Sequence, residues 1–381
     1  MTKTIGFVKE QKAGESRVAL VPETAQKIID LGWQVLMEPD AGEAAGFPND
    51  SYPEMTQMAK RRSDVLNGAD VVVGVHALDE SDLAEMRDDA VVIGMVSPYA
   101  DQQRFVKAAA QGLTVFSMEL IPRTTRAQAM DVLSSQASVA GYKAVLLAAS
   151  EAPRFFPMLT TAAGTIRPAS VLIIGAGVAG LQAMATAKRL GANVTGYDVR
   201  PETVEQIKSL GAKFLDLGVE AVGEGGYARA LTDEEKQLQQ DNLKKHMSSV
   251  DVLITTAAVP GRPAPRIITA DMVGEMKAGS VIVDLGAEGG GNCEPTEAGQ
   301  TKMVGGVKVI GPENLSATVP LHASEMYSRN VWNLLSLMNA DGEFVLNWED
   351  DILAGCAVTR DKAVVHSAVK ESLEQSTGDA S

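Results

Sequence analysis

The sequence predicts an α/β protein of two doubly wound domains, one inserted into the other and joined by long helices. Three observations carry that prediction. Short apolar runs alternate with helix-period segments along most of the chain. A glycine-rich fingerprint follows one of those runs at 175–180. Two helical stretches, 126–149 and 322–338, bracket the block that contains it. The expected boundaries are 1–135 plus 320–381 for the outer domain and 136–319 for the inserted one.

In the first third, apolar runs mark strands at 3–8 (KTIGFV), 33–38 (WQVLME), 70–75 (DVVVGV), 90–96 (AVVIGMV) and 113–118 (LTVFSM). Between them, PETAQKIIDLG opens on Pro22 and closes at Gly32. Proline suits a first turn that cannot use its N–H, and glycine tolerates a left-handed closing residue. DQQRFVKAAAQG (101–112) reads as a second helix.

The second block starts at SVLIIGAGVAG (170–180). It continues with strands at 212–217, 250–256, 280–286 and 307–311, expected to be parallel. Thr232 and Glu235 have capping-box spacing for a helix over 232–247. The glycine-rich stretch 218–230 is expected to be a mobile surface loop. The tail reads as an extended stretch at 356–366 and a polar terminus that frays.

A length of 381 residues suffices for two domains at about 150 residues each. The formal charge of -15 disfavours nucleic acid and anionic lipid, which need basic surface. Cys293 and Cys356 make no disulfide framework, so a reducing compartment is expected. The start lacks an apolar signal core, and no run reaches the ~18 apolar residues of a membrane span. The expectation is a soluble chain that can dock on a membrane protein. His76, His246, His322 and His366 lack metal-ligand spacing, and no metal is expected.

In VLIIGAGVAG, Gly175 permits a tight turn, Gly177 a close backbone approach to a pyrophosphate, and Gly180 close helix–strand contact. Amides at Val178 and Ala179 open the helix, whose N-terminus favours an anion. The next strand ends in Asp198, followed by Val199 and Arg200. A carboxylate there accepts from ribose hydroxyls and repels a 2′-phosphate, so NAD is favoured over NADP. Arg200 reads as a surface arginine, with contact to a 2′-phosphate as the lesser alternative. Thr256, Ala257 and Ala258 in TTAAVPG, and Glu288 in DLGAEGGGN, lie at strand ends that border a coenzyme cleft, with a plain glycine-rich connection as the equal alternative for each.

Residues 121–145 (IPRTTRAQAMDVLSSQASVAGYKAV) pose a different question. On a helix over 128–142, Gln128, Asp131, Ser135, Ser138 and Tyr142 form a polar stripe opposite an apolar one. Spacing alone leaves two readings open: a solvated face capped by Thr125 and Gln128, or a site.

The chain closely resembles the NAD(H)-binding component, domain I, of proton-translocating NAD(P) transhydrogenase, a family related to the alanine dehydrogenases. The resemblance rests on GESRVALVPE (14–23), TTAAGTIRPASVLIIGAGVAGLQAMATAKRLGA, ITTAAVPGRPAP and DLGAEGGGNCEP, and covers nearly the whole chain. It implies that Arg123, Gln128, Asp131 and Ser134 form the catalytic loop. Arginine, aspartate and serine would hold the nicotinamide carboxamide and cofactor, and the glutamine would reach the partner's NADP(H). It also implies a loop over 123–131, so the helix should start later than Thr125. Tyr142 and Tyr227 match coenzyme-site tyrosines, the latter on the loop that closes over bound NAD(H).

The resemblance further implies NAD(H) bound here between the two domains, NADP(H) on the partner subunit's domain III, and direct hydride transfer from NADH to NADP+. The coupled proton would cross in the membrane partner. A homodimer is implied, as is a cytoplasmic location at the inner membrane. The rival reading is an alanine dehydrogenase-like amino-acid dehydrogenase, which needs a lysine and a histidine. VVVGVHAL (71–78) has no lysine and IGMVSPYA (93–100) no histidine, so acid–base chemistry lacks its groups. His76 is no evident substitute there. Arg17 would grip a carboxylate in such enzymes; a structural ion pair is the alternative. A third reading is an NAD-binding regulatory module without chemistry.

Overall fold

Each apolar run of the first third forms a strand: Thr4–Phe7, Gln34–Met37, Val71–His76, Val91–Met95 and Thr114–Ser117. The computed structural model describes residues 3–223, 228–258 and 263–378, with the side chains of 375–378 excepted. The centre of the glycine-rich stretch 218–230 thus lies outside the described residues. The chain divides into two compact units, 1–136 with 317–381, and 137–316.

The first unit holds an eight-stranded sheet. Its parallel strands run Gln57–Met58, Gln34–Met37, Thr4–Phe7, Val71–His76, Val91–Met95, Thr114–Ser117 in space, the doubly wound order in which the first strand is central. Such strands read as unbroken apolar runs because both faces are covered. Val71, Val73 and Val75 enter one core, while Val72, Val92 and Val115 enter the other. The stretch expected to be extended at 356–366 forms a hairpin, Ala357–Arg360 with Ala363–Val364, that extends the sheet antiparallel. The chain then forms a helix, Ser367–Gly378, that the polar tail did not announce; residues 379–381, the end of the terminus expected to fray, lie outside the described residues.

The second unit repeats the order. Lys213–Phe214, Asn193–Tyr197, Ser170–Ile174, Val252–Thr255, Val281–Asp284 and Val307–Ile310 are parallel neighbours. Every strand expected to be parallel is so; an antiparallel strand that the apolar runs did not mark, Thr301–Val304, closes that edge. Val171, Ile173, Val252 and Ile254 fill one core; Leu172, Ile174 and Leu253 fill the other.

Helix punctuation behaves as the residues require. Pro22–Asp30 opens on proline, and Gly32 follows with φ 81°. Thr232 and Glu235 make the reciprocal capping box of helix Asp233–Met247. The bracketing helices are Val132–Glu151 and Pro320–Leu337.

The helix over 128–142 is corrected. Thr125–Met130 is a 3-10 segment with no side-chain cap, so Thr125 and Gln128 form no capping box. The α-helix starts at Val132, and Gln128 is off the helical stripe. Asp131 causes the break: its carboxylate accepts from the Ser134 N–H at 2.9 Å, so the helix starts behind it.

Candidate functional site

The second unit's fingerprint is built at the carboxyl end of its central strand. Gly175 takes φ 98°, and its N–H donates to Tyr197 O at 2.8 Å. A Cβ on Gly180 would lie 1.8 Å from Gly175 O, so packing alone demands glycine there. Gly177 differs. It caps helix Val178–Arg189 with an ordinary φ of -76°, and among the described residues a Cβ would meet no neighbouring atom within 4 Å. Among the described residues nothing requires glycine at 177, and the open space there leaves room for a ligand to approach the backbone. The amides of the first turn, at Val178 and Ala179, lie at this helix N-terminus, which favours a pyrophosphate. These features fit a dinucleotide.

Asp198 ends the neighbouring strand with four hydrogen bonds on its carboxylate. Oδ1 accepts from the Arg200 N–H at 3.0 Å and Arg200 Nε at 2.9 Å; Oδ2 accepts from the Ala176 N–H at 2.7 Å and Arg200 Nη2 at 2.8 Å. Burial acts to raise its pKa, but the Arg200 guanidinium and the two amides outweigh it and hold the carboxyl below the usual carboxylate range. Arg200 is therefore an ion-pair partner rather than the surface arginine expected. Between them, Val199 packs against the core that Leu172, Ile174 and Leu253 enter, and its carbonyl accepts from the Ala221 N–H at 2.7 Å.

The loops after the fourth and fifth strands are locked by residues the motif reading passed over. Asn292, fully buried, accepts from the Ala257 N–H at 3.0 Å and donates to the carbonyls of Ala257 at 2.7 Å and Pro265 at 2.9 Å. Asp284, also fully buried, accepts from Thr255 Oγ1, Gly286 N–H and Cys293 N–H. Thr256 Oγ1 donates to the carbonyls of Ile174 and Gly175, tying this loop to the fingerprint. Ala258 is exposed, and exposed Glu288 accepts from the Asn314 N–H at 2.8 Å. DLGAEGGGN contains Asp284 and Asn292, but polar residues among glycines look like solvent-facing turn residues until their partners are known.

Gly141 of helix Val132–Glu151 allows that helix to lie against the fingerprint helix: a Cβ there would meet Ala179 O at 2.1 Å. Tyr142, beside it, is exposed. Tyr227 lies outside the described residues.

The first unit carries the other set. Asp131 caps the helix, and Ser134 Oγ donates to its second oxygen at 2.6 Å. Arg123 and Gln128 are exposed before and in the 3-10 segment, respectively. Its backbone is anchored by Asn330 and Asn333, which both donate to Ala129 O at 2.8 and 3.0 Å, and by the two-pronged pairing of Arg126 with Asp350. Ser135 Oγ donates to Asn330 Oδ1 at 2.7 Å, linking the segment to the helix start. The four residues thus share one braced stretch.

Arg17 is buried and pairs with Glu15, through Nε at 2.8 Å and Nη2 at 2.7 Å, and with Gln136 Oε1 at 2.8 Å. His76 Nε2 lies 2.6 Å from the same Glu15 carboxylate. The structural ion pair is therefore the arrangement present at Arg17.

Two family models cover the chain: the alanine dehydrogenase/PNT N-terminal domain matches residues 6–140, and the C-terminal domain matches 144–367. The first portion of the NAD(P) transhydrogenase subunit alpha of Rhodospirillum rubrum is 41% identical over 377 residues, covering 96% of this chain and 98% of that one. The structure of a transhydrogenase from Sinorhizobium meliloti is 43% identical, with a TM-score of 0.86 over 95% of this chain and 100% of that chain. An L-alanine dehydrogenase structure shares the fold, with a TM-score of 0.81 and 24% identity over 98% and 99% of the two chains.

Proposed function

The chain belongs to the alanine dehydrogenase/PNT family, among its NAD(P) transhydrogenase α-subunit relatives, and from that premise we propose that it is the NAD(H)-binding subunit of a proton-translocating transhydrogenase. The observation that carries this reading is Gly177, a glycine that no contact among the described residues demands, at a helix N-terminus beside an ionised Asp198. The fingerprint amides and that helix end hold the pyrophosphate, and Asp198 takes the adenosine ribose. Bound NADH supplies the hydride, which NADP+ on a partner subunit's NADP-binding domain accepts.

The chain's own work is then positioning and exclusion of water rather than proton transfer. Arg123, Asp131 and Ser134 hold the carboxamide end, and Gln128 reaches toward the partner's ribose. Asp131 is occupied as a helix cap and Ser134 partner, which keeps its carboxylate fixed. His76, near the lysine position of the dehydrogenases, is engaged by Glu15.

Among the described residues no helix is long and apolar enough to cross a membrane. Proton translocation is assigned here to membrane partners, with this chain bound peripherally on their cytoplasmic side. A second copy of the chain completes the unit. The hairpin Leu159–Thr161 with Gly164–Ile166 exposes Leu159 and Ile166, with Phe155 and Met158 beside it, and a two-stranded hairpin is marginal unless something covers it.

Mixing the chain with an NADP-binding transhydrogenase domain and following hydride transfer from NADH to an NADP analogue tests the proposal. Transfer is expected only with both components present. NADH oxidation by pyruvate and ammonia with the chain alone would replace this reading with an amino-acid dehydrogenase. NADH binding without transfer would leave a regulatory module.

A further inference from the structure

The Asp198 carboxylate is saturated. A carboxylate offers about four acceptor directions. Four donors occupy them: the amides of Ala176 and Arg200, and Nε and Nη2 of Arg200. A ribose cannot donate to Asp198 until some donor leaves.

The two amides are held by the backbone. Ala176 follows Gly175, whose N–H is bonded into the strand pair, and the Arg200 carbonyl accepts from Thr203 N–H and Oγ1. The guanidinium sits on a flexible stem, and 17% of its side-chain surface is exposed against 8% for Asp198. Of the four donors, only this pair is carried on a side chain rather than fixed by the backbone.

We propose that Arg200 is a latch on the ribose acceptor, so that NAD(H) binding exchanges the guanidinium for two ribose hydroxyls on Asp198. This rests on the NAD(H) reading above. The depressed carboxyl pKa accords with an ionised, charge-assisted pair that a neutral hydroxyl must displace. Two consequences follow from the exchange. Affinity for NADH is lower than an unlatched Asp198 would give. The displaced guanidinium also becomes a cation near the 2′ position, where it offsets the repulsion between Asp198 and a 2′-phosphate. Arg200 thereby narrows the discrimination that Asp198 creates.

The test is titration of NADH and of NADPH into the full chain, unmodified and as Arg200→Ala. The variant should bind NADH about three- to tenfold more tightly, the scale of one partly exposed ion pair, and NADPH more weakly. Arg200→Gln, which keeps a polar stem without charge, should shift both in the same directions. Unchanged or weaker NADH binding by both variants, with the unmodified chain binding NADH normally, overturns the latch alone. Tighter NADPH binding overturns its selectivity role. An unmodified chain that binds no NADH overturns the functional reading first, and the latch with it.

Discussion

Gly177 and Gly180 are two fingerprint glycines with opposite physical reasons, and substituting each by alanine separates them. At Gly180 the new methyl would sit 1.8 Å from Gly175 O, an overlap that only backbone movement relieves. Overpacking of this kind costs about 1–3 kcal/mol, and more where the obstacle is backbone. At Gly177 the methyl meets no atom of the described residues within 4 Å, and φ -76° suits alanine. The cost is then the few tenths to about 1 kcal/mol by which alanine is the poorer N-cap. If a pyrophosphate approaches this backbone, the same methyl displaces it and loses one or two charge-assisted bonds, about 1.5–3 kcal/mol each. NADH should bind at least tenfold more weakly. Thermal unfolding and NADH fluorescence titration of the two variants provide the readouts. Gly177→Ala should melt within about 2 °C of the unmodified chain and bind NADH poorly; Gly180→Ala should melt several degrees lower. A Gly177→Ala chain that binds NADH normally refutes the placement of the pyrophosphate.

Other outcomes follow from the same geometry. Asp131→Asn retains a good helix cap, so stability should change by no more than about 0.5 kcal/mol. In the reconstituted transfer assay the rate should nonetheless fall about 10²-fold with NADH affinity within tenfold; an unaltered rate removes Asp131 from the mechanism. Asn292→Ala leaves the Ala257 N–H and two carbonyls without their partner. It should lower the melting temperature and weaken NADH binding together, at about 1–3 kcal/mol per stranded buried group; a normal melt with normal binding contradicts the clasp. Burial depresses the His366 imidazole pKa below 6.5. A depressed pKa means that the neutral ring is the stable folded form. Its stabilising contribution is complete above the unfolded value and is lost as pH falls through the folded one. His366→Gln should therefore lose less melting temperature than the parent between pH 7 and 5, and parallel curves would rule this out.

Much of the fold is local information. Val71–His76 and Val252–Thr255 are apolar runs covered on both faces, so composition over a few residues reveals them. The helix at 233–247 announces itself through Thr232 and Glu235 because a capping box is completed within three residues. The hairpin at 159–166 carries no such signal: its strands are three residues long and exposed throughout, so no alternation of burial marks them.

Two doubly wound layers, the turn–helix cradle of Gly175 to Gly180, and an acid at the end of the following strand were all legible in the linear chain. They depend on periodicity, backbone freedom and short spacing, which residue order displays. The bonding partners of the polar side chains came from the folded arrangement instead. Arg200 saturates Asp198, Asn292 clasps Ala257, Asp131 ends a 3-10 segment rather than lying within a helix, and Glu15 occupies both Arg17 and His76. A hydrogen bond is made or lost over distances of a few tenths of an ångström, and the fold sets those distances whether the partner is two residues away, as for Arg200 and Asp198, or far along the chain, as for Asn292 and Ala257.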